Sequence, residues 1–470
     1  MHARTILLAL ACATGCTVGP DYKRPELPLP EGWREVSANE QQTIANTPWW
    51  ELFQDPTLVE LIHVALAENK DLKIAVERIE EARARYGFTR SEQFPRVDLT
   101  AGASKSETSA NTGVVLPPGT DRTQSNYGIG ASAFWELDFF GRVRRATESE
   151  LAQLYATEQS RRAVVLALVA DVARSYVELR DFDRRLEIAR RTLESRVQYV
   201  QLAKDRYEGG VTSELDFHQA EAEMHRTAAS VQDFERLVGL KTHELSLLLG
   251  RNPGEIPRGS ALDQLALPPS TPAGLPSELL DRRPDLREAE ELLAASNARI
   301  GVAKALLYPS IALTGAFGWE STELGGAFDS QSQAWSISVN LLQPIFNAGQ
   351  NRRRVEVTES QQRQALFSYE RSVLQAFREV EDALVDTRQS SLRRGTEHER
   401  VSAERKVLEL AELRYRGGVA AYLEVLDAQR SLFDAELDEA SSVRDEFVAR
   451  IDLYKALGGG WPQEPEAAPR

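Results

Sequence analysis

The sequence predicts a mixed α and β membrane protein built from one unit written twice. Three observations carry this reading. Two stretches alternate strictly between apolar residues and small or polar ones. Arg142 to Glu208 runs for 67 residues without Gly or Pro. The motif Arg206-Tyr207-Glu208-Gly209-Gly210-Val211 returns as Arg414-Tyr415-Arg416-Gly417-Gly418-Val419.

The duplication sets the domain order. A shift of 208 residues pairs Gly141 with Gly349, Leu215 with Leu423, Ala220 with Ala428 and Gly250 with Gly458. Upstream the shift is 214, pairing Asp71-Leu72 with Asp285-Leu286, Gly87 with Gly301, Pro95 with Pro309 and Leu99-Thr100 with Leu313-Thr314. The difference lies between Pro95 and Gly141, where the first copy has the longer loop. The expected layout is a signal peptide at 1–15, a lipidated extended segment at 16–50 and a first repeat at 51–250. That repeat holds a helix, a strand pair at 96–139 and a long helical hairpin at 142–250. A Pro-rich connector at 251–284 leads to a second repeat at 285–458, with a strand pair at 310–346 and a hairpin at 349–458. A flexible tail at 459–470 ends the chain.

In the first long helix Val165, Val172, Leu179, Leu186, Leu193 and Val200 recur every seventh residue. A strict seven-residue apolar repeat favours left-handed supercoiling against neighbouring helices. At about 1.5 Å per residue the helix reaches roughly 100 Å. The second copy keeps the frame at Val373, Val380, Val401 and Leu408 but has Thr387 and Arg394 in between. Gly395 follows, so a weaker or bent segment is expected there.

The strands have period two. Tyr127, Ile129, Ala131, Ala133, Trp135, Leu137 and Phe139 alternate with Asn126, Gly128, Gly130, Ser132, Phe134, Glu136 and Asp138. Trp335, Ile337, Val339 and Leu341 alternate with Ala334, Ser336, Ser338 and Asn340. Val97-x-Leu99-x-Ala101-x-Ala103 and Ile311-x-Leu313-x-Gly315-x-Phe317-x-Trp319 supply the partner strands. A half-buried soluble sheet has this pattern too. A small, weakly charged opposing face and tryptophans at 135, 319 and 335 favour a membrane barrel with interfacial aromatics. Four strands cannot close a barrel, and open edges are not viable in lipid. The chain therefore needs copies of itself in a ring.

Composition narrows the function. The formal charge is −15, from 71 acidic and 56 basic residues, which disfavours a nucleic-acid partner. The mean hydropathy of −0.38 excludes a bundle of membrane-spanning helices. Both cysteines, Cys12 and Cys16, lie in the first sixteen residues, so structural disulfides, a cysteine nucleophile and a thiolate metal site are excluded beyond them. Ile6 to Ala13 is a short apolar run behind a polar start, as in a signal peptide. Ala13-Thr14-Gly15-Cys16 resembles a lipobox, with Ala9-Leu10-Ala11-Cys12 as the rival frame. The six histidines (2, 63, 218, 225, 243, 398) contain no His-Glu-x-x-His, and Gly128-x-Gly130 lies within a strand and lacks a phosphate-loop lysine. Glu136 and Asp138 read as wall residues, not an acid/base pair. No catalytic, cofactor or metal site is expected.

Several runs resemble the TolC-like outer membrane factor family, in its lipoprotein branch. They are Gly-Cys-Thr-Val-Gly-Pro-Asp-Tyr-Lys-Arg-Pro at 15–25, Trp-Glu-Leu-Asp-Phe-Phe-Gly-Arg at 135–142 and Leu-Pro-Ser-Glu-Leu-Leu-Asp-Arg-Arg-Pro-Asp-Leu at 275–286. Gln-Pro-Ile-Phe-Asn-Ala-Gly-Gln at 343–350 and Leu-Asp-Ala-Gln-Arg-Ser-Leu-Phe at 426–433 complete the set. The resemblance covers nearly the whole mature chain. It implies a homotrimer with a twelve-strand barrel in the outer membrane and a twelve-helix periplasmic tunnel. It also implies service as the passive exit duct of an efflux system, partnered by a periplasmic adaptor and an inner-membrane pump of the resistance-nodulation-division type. The run at 15–25 selects Cys16 over Cys12 for lipidation.

Paired glycines suit tight helix reversals at both tips. In the family the tips meet the adaptor, which singles out Arg206, Tyr207, Gly209, Gly210, Val211 and Leu215, with Arg414, Tyr415, Gly417, Gly418 and Val419. Leu423 and Asp427 match the positions that constrict the periplasmic mouth. They lie four apart, on one helix face. The first copy has Leu215 but Gln219, so an acidic ring comes from the second copy alone, with Arg414 and Arg416 as candidate counter-charges. Gly141 and Gly349 suit the bend from strand to helix, and Ser277 or Asp285 a helix cap. The competing readings are a periplasmic adaptor, with one hairpin among compact β modules, and a coiled-coil scaffold lipoprotein, which needs no alternating strands.

Overall fold

The structure, a computed structural model of the chain, describes residues 17–28, 30, 32–34, 53–109, 111, 117, 121–268 and 276–459. The chain divides into two compact units. One gathers Met1–Glu26, Arg78–Glu158 and Glu288–Tyr369; the other gathers Leu27–Glu77, Gln159–Arg287 and Glu370–Arg470.

The elements come in two matching series. The first is α1 (Pro56–Glu68), α2 (Lys70–Ser91), β1 (Arg96–Glu107), β2 (Thr123–Leu137), α3 (Arg142–Glu208) and α4 (Glu214–Leu248). The second is α5 (Pro276–Arg282), α6 (Pro284–Ala305), β3 (Ser310–Ser321), β4 (Gln333–Leu342), α7 (Gln350–Arg416) and α8 (Tyr422–Ala456). Four of the six partner pairs repeat in length: 22 residues for α2 and α6, 12 for β1 and β3, 67 for α3 and α7, 35 for α4 and α8.

In the first unit the strands form one antiparallel sheet in the order β1-β2-β3-β4. Its register carries the alternation across every strand. Leu99 faces Ala131, Ala131 faces Phe317, and Phe317 faces Trp335. The adjacent row on the other face is Thr100, Gly130, Gly318 and Ala334. One side of the sheet is thus apolar from edge to edge and the other is small or polar. Gly130 and Gly318 pinch the middle seam, since a Cβ on Gly318 would lie 2.6 Å from the Gly130 Cα.

The strands stop earlier than expected, at Leu137 instead of 139 and at Leu342 instead of 346. The causes are local. The Phe139 N–H donates to the Leu137 carbonyl at 2.8 Å, which turns the chain. Glu136 accepts two bonds from Arg142, both 2.8 Å, and Asp138 accepts the Arg144 N–H at 2.8 Å. These carboxylates therefore staple strand to helix and are not wall residues. Burial and loss of hydration oppose the Arg142 charge, but the bonded Glu136 carboxylate is the larger influence and holds its pKa above the ordinary value. After β4, Pro344 offers no N–H to a ladder. Gly141 (φ +78°) and Gly349 (φ +82°) make the two bends in a region that disfavours other residues.

The second unit packs α1, α3, α4 and α8 around Ile62, Val169, Tyr176, Leu179, Leu245 and Ile451. Asp55 organises one end. Its carboxylate caps α1 at the Thr57 N–H (2.8 Å) and accepts the Tyr176 hydroxyl (2.8 Å) and the Ser260 N–H (3.3 Å). Burial first, then the Asp55 bond, holds the Tyr176 hydroxyl well above the usual tyrosine range. Gly259 leaves room for this, because a Cβ there would stand 2.4 Å from the Asp55 carboxylate.

Two local expectations change. The α7 helix is continuous through Gly395, so the weaker or bent segment expected there does not interrupt its backbone ladder. Its polar heptad positions are bonded: Thr387 donates to the Ala383 carbonyl at 2.7 Å, and Arg394 meets buried Glu446 at 2.8 Å. Those contacts offset the roughly 1 kcal/mol a helical glycine costs. Asp285 is not a cap; it lies inside the first turn of α6, gripped by Arg283 at 2.6 and 3.0 Å.

Candidate functional site

The two hairpin tips are built alike. Val211 N–H donates to the Arg206 carbonyl at 2.8 Å and Gly210 N–H to the Tyr207 carbonyl at 2.9 Å. Val419 to Arg414 and Gly418 to Tyr415 repeat the pair, each at 3.0 Å. Gly210 (φ +69°) and Gly418 (φ +73°) supply the left-handed residue that this helix termination requires.

The tips also meet. The Arg206 guanidinium lies 4.6 Å from the centre of the Tyr415 ring, and Tyr415 packs on Tyr422 at 5.7 Å. Beneath them Ala203, Ala220, Val425, Leu426 and Ala428 form a small core. Buried Glu223 joins Arg430 at 2.7 Å and Arg196 at 3.8 Å, tying α4 to α8 and to α3. Burial pulls the Arg196 pKa down. This polar knot was not legible in the sequence, because Glu223 and Arg430 lie 207 positions apart.

Outside that core the tip is apolar and open. Val211 and Val419 are exposed, and Tyr207 is 40 % exposed. Leu423 is 58 % exposed and Asp427 is exposed beside it, while Val425, Leu426 and Ala428 turn inward. The counter-charge expectation fails within the chain. Arg414 pairs with Glu424 and Arg416 with Glu412, each at 3.3 Å. In the first copy Leu215 is exposed and Gln219 half-buried.

The second surface is the apolar face of the sheet, where Leu99, Ile337, Val339 and Leu341 are all at least 65 % exposed. Among the described residues no helix is long and apolar enough to cross a membrane. Aromatic residues gather toward both ends of the strands. Trp335 opposes Phe317 and Trp319 opposes Ile129 toward one end; Trp135 opposes Leu313 toward the other. Tyr127 and Trp135 are separated by about 27 Å of strand, which at the roughly 35–45° tilt of outer-membrane barrels rises about 19–22 Å, within their ~25 Å apolar band.

The third feature is an N-terminal strap that the sequence did not reveal. Val18 N–H donates to the Phe140 carbonyl at 3.2 Å. Buried Arg145 reaches the Val18 carbonyl (3.3 Å), the Gly19 carbonyl (3.4 Å) and Asp21 (2.7 Å). Asn297 holds the Pro20 carbonyl at 2.9 Å. Gly19 (φ +104°) touches Gly301 so closely that a Cβ would lie 2.5 Å from the Gly301 Cα. Thr17 thereby rests on Gly141, at the strand-to-helix bend. Cys16 and the rival Cys12 lie outside the described residues.

The profile of the outer membrane efflux protein family matches residues 61–251 and 275–459. The chain belongs to that family. It is 37 % identical to the solvent efflux pump outer membrane protein SrpC of Pseudomonas putida over 469 residues, 97 % of each chain. It is 34 % identical to the cation efflux system protein CusC of Escherichia coli, covering 96 % of this chain and 97 % of that one. The solved open state of the MtrE outer membrane channel from Neisseria gonorrhoeae superposes with a TM-score of 0.85 at 32 % identity, over 96 % of this chain and all of that one. This efflux protein is thus an outer-membrane channel component with the family's mixed α and β fold.

Proposed function

We propose that three copies close their four-strand sheets into one twelve-strand barrel and their long hairpins into a periplasmic tunnel. The product is the passive exit duct of a tripartite efflux system. The observation that carries this reading is the four-strand sheet: apolar and exposed on one side, small and polar on the other, with an unpaired edge at β1 and at β4. Lipid outside and water inside is the environment that satisfies both faces.

The remaining assignments follow from position. Cys16 is the lipidated residue; its neighbour Thr17 is seated at Gly141, at the strand-to-helix bend. The exposed tip residues Val211, Leu215 and Val419, with Tyr207 beside the glycine turns, form the adaptor-facing surface. Through the adaptor the duct serves an inner-membrane pump of the resistance-nodulation-division type. Leu423 and Asp427 line the gate, as an apolar ring of three and an acidic ring of three. The leucines close the bore by packing and dewetting. Cargo choice lies with the pump, since relatives with this architecture carry names as different as solvent, toluene and cation efflux.

Native mass spectrometry of the detergent-extracted protein tests the assembly. Three protomers, each with an acylated N-terminus at Cys16, are expected. A stable folded monomer would sink the architecture. Planar-bilayer recordings then ask whether the assembly conducts ions with a cation preference.

A further inference from the structure

The internal duplication records how two strands meet within the chain, and it extends to how two chains meet. Raising β1 numbers by 214 and β2 numbers by 208 turns the observed pair Val97–Ala133 into Ile311–Leu341, which is the observed β3–β4 register. The two hairpins are therefore superposable residue by residue. The seam between them, β2–β3, pairs Ala131 with Phe317 and Gly130 with Gly318. Among the described residues no second such seam exists within one chain, because β1 and β4 are the sheet edges.

We propose that β4 of one copy pairs antiparallel with β1 of the next in the register obtained by applying the same two shifts to the β2–β3 seam. Val339 then lies opposite Ala103 and Ser338 opposite Ser104. The inference rests on the reading that copies close one barrel, and it adds the residue pairs. A slip of one residue is excluded, because it would carry the apolar row of one strand onto the polar face of its neighbour. Slips of two keep the faces aligned; the duplication decides against them. The glycine pinch of the inner seam is not repeated, since Ser338 and Ser104 stand in its place, so the outer seam curves less tightly.

The same shifts reach the helices. Arg145 maps to Arg353 and Gly301 to Gly87. Within the chain Arg145 lies across Gly301, where a Cβ would meet the arginine Cγ at 2.7 Å. At Gly87 that space is empty, and the Arg353 side chain is 79 % exposed. Arg353 of one copy fills the gap over Gly87 of the next. No strap is available there, because each chain's own strap already occupies its inner seam.

Disulfide trapping in membranes tests the register. The pairs Val339→Cys with Ala103→Cys and Ser338→Cys with Ser104→Cys sample adjacent positions, one of each hydrogen-bonding type. Mild oxidation should give covalent dimers and trimers from both. The slipped pairs Val339→Cys with Ala101→Cys and Ser338→Cys with Gly102→Cys should give at least tenfold less, and each single variant, with Cys12 and Cys16 kept, sets the background. Trimers by native mass that cross-link only in the slipped pairs, or in neither set, overturn the register and leave the barrel reading standing. Monomers overturn both. Gly87→Leu is the second probe: it should lower the fraction of trimer at a given detergent concentration while the far-ultraviolet dichroism keeps its helical signal. An unchanged trimer fraction removes Arg353 and Gly87 from the seam.

Discussion

The two copies share the lengths of their long helices and their turn geometry, yet they are buried very differently. In the first copy α3 is enclosed, with Val169, Val172, Tyr176 and Leu179 at most 1 % exposed. Its counterpart α7 leaves Leu374, Leu392, Leu410 and Leu413 open. The inner hairpin arms reverse the order. Helix α8 buries residues along its length, from Tyr422 to Ala456, whereas α4 buries Ala220, Glu223, Thr227, Leu245 and Ser246. The difference lies less in the repeat than in its neighbours. Elements α3 and α8 find theirs inside the chain, while α4, α7, β1 and β4 present the surfaces that another copy would cover.

Equivalent substitutions in the two copies can break or sharpen this comparison. The largest effect is expected at the gate. Leu423→Ala with Asp427→Ala should raise single-channel conductance several-fold and weaken cation preference, whereas Leu215→Ala with Gln219→Ala should change neither. Equal responses in planar bilayers would move the constriction away from the second copy.

Next come the paired glycines that end α4 and α8. Both have positive φ, but a Cβ at Gly250 would stand 2.3 Å from the Glu68 carbonyl, while at Gly458 its nearest neighbour is the Arg283 Cγ at 3.1 Å. Gly250→Ala should cost about 3 kcal/mol and Gly458→Ala about 1–2, beginning from the left-handed penalty they share. Denaturant unfolding followed by circular dichroism would rank them, and the reverse order would show that the first copy's contact is the softer one.

Tyr176→Phe removes the hydroxyl that joins Asp55 to the Gly259 N–H and should cost about 1–3 kcal/mol. The second copy has Leu384 at this position, so no matching network exists to lose. A change below a few tenths of a kcal/mol would mean that water replaces the hydroxyl. The smallest effect belongs to Arg206→Ala, which should cost about 0.5–1 kcal/mol through its lost stacking on Tyr415. Hydrogen exchange at the tips should register it before global unfolding does.

Periodic features were legible in the sequence because one geometry repeats them. Val165, Val172, Leu179 and Leu186 announced the enclosed stripe of α3, and the alternation through Trp135 and Trp335 announced the sheet. The equal spacing of Gly141 and Gly349, and of Gly210 and Gly418, located the bends and reversals. Single long-range contacts were not legible. Nothing near Arg145 in sequence signals that it grips residues 18–21, and nothing near Glu223 signals Arg196 and Arg430. The first strand end was overrun at Phe139 because alternation continues past the last ladder bond, and the second at Phe346 because apolar residues continue past Pro344 without alternating. Arg414 and Arg416 were matched to Asp427 by proximity in sequence, whereas Glu424 and Glu412 are the carboxylates within reach.

The strap of residues 17–24 has a consequence for the order in which the protein is made. Thr17 through Arg24 emerge early from the ribosome, yet Gly19 has no seat until Gly301 exists and the Arg24–Glu290 ion pair cannot form until Glu290 does. About two-thirds of the polypeptide must therefore be synthesised and exported before its beginning can dock. Until then residues 17–24 stay undocked while the sheet is still unassembled. Docking of the strap therefore marks the joining of the second repeat to the first.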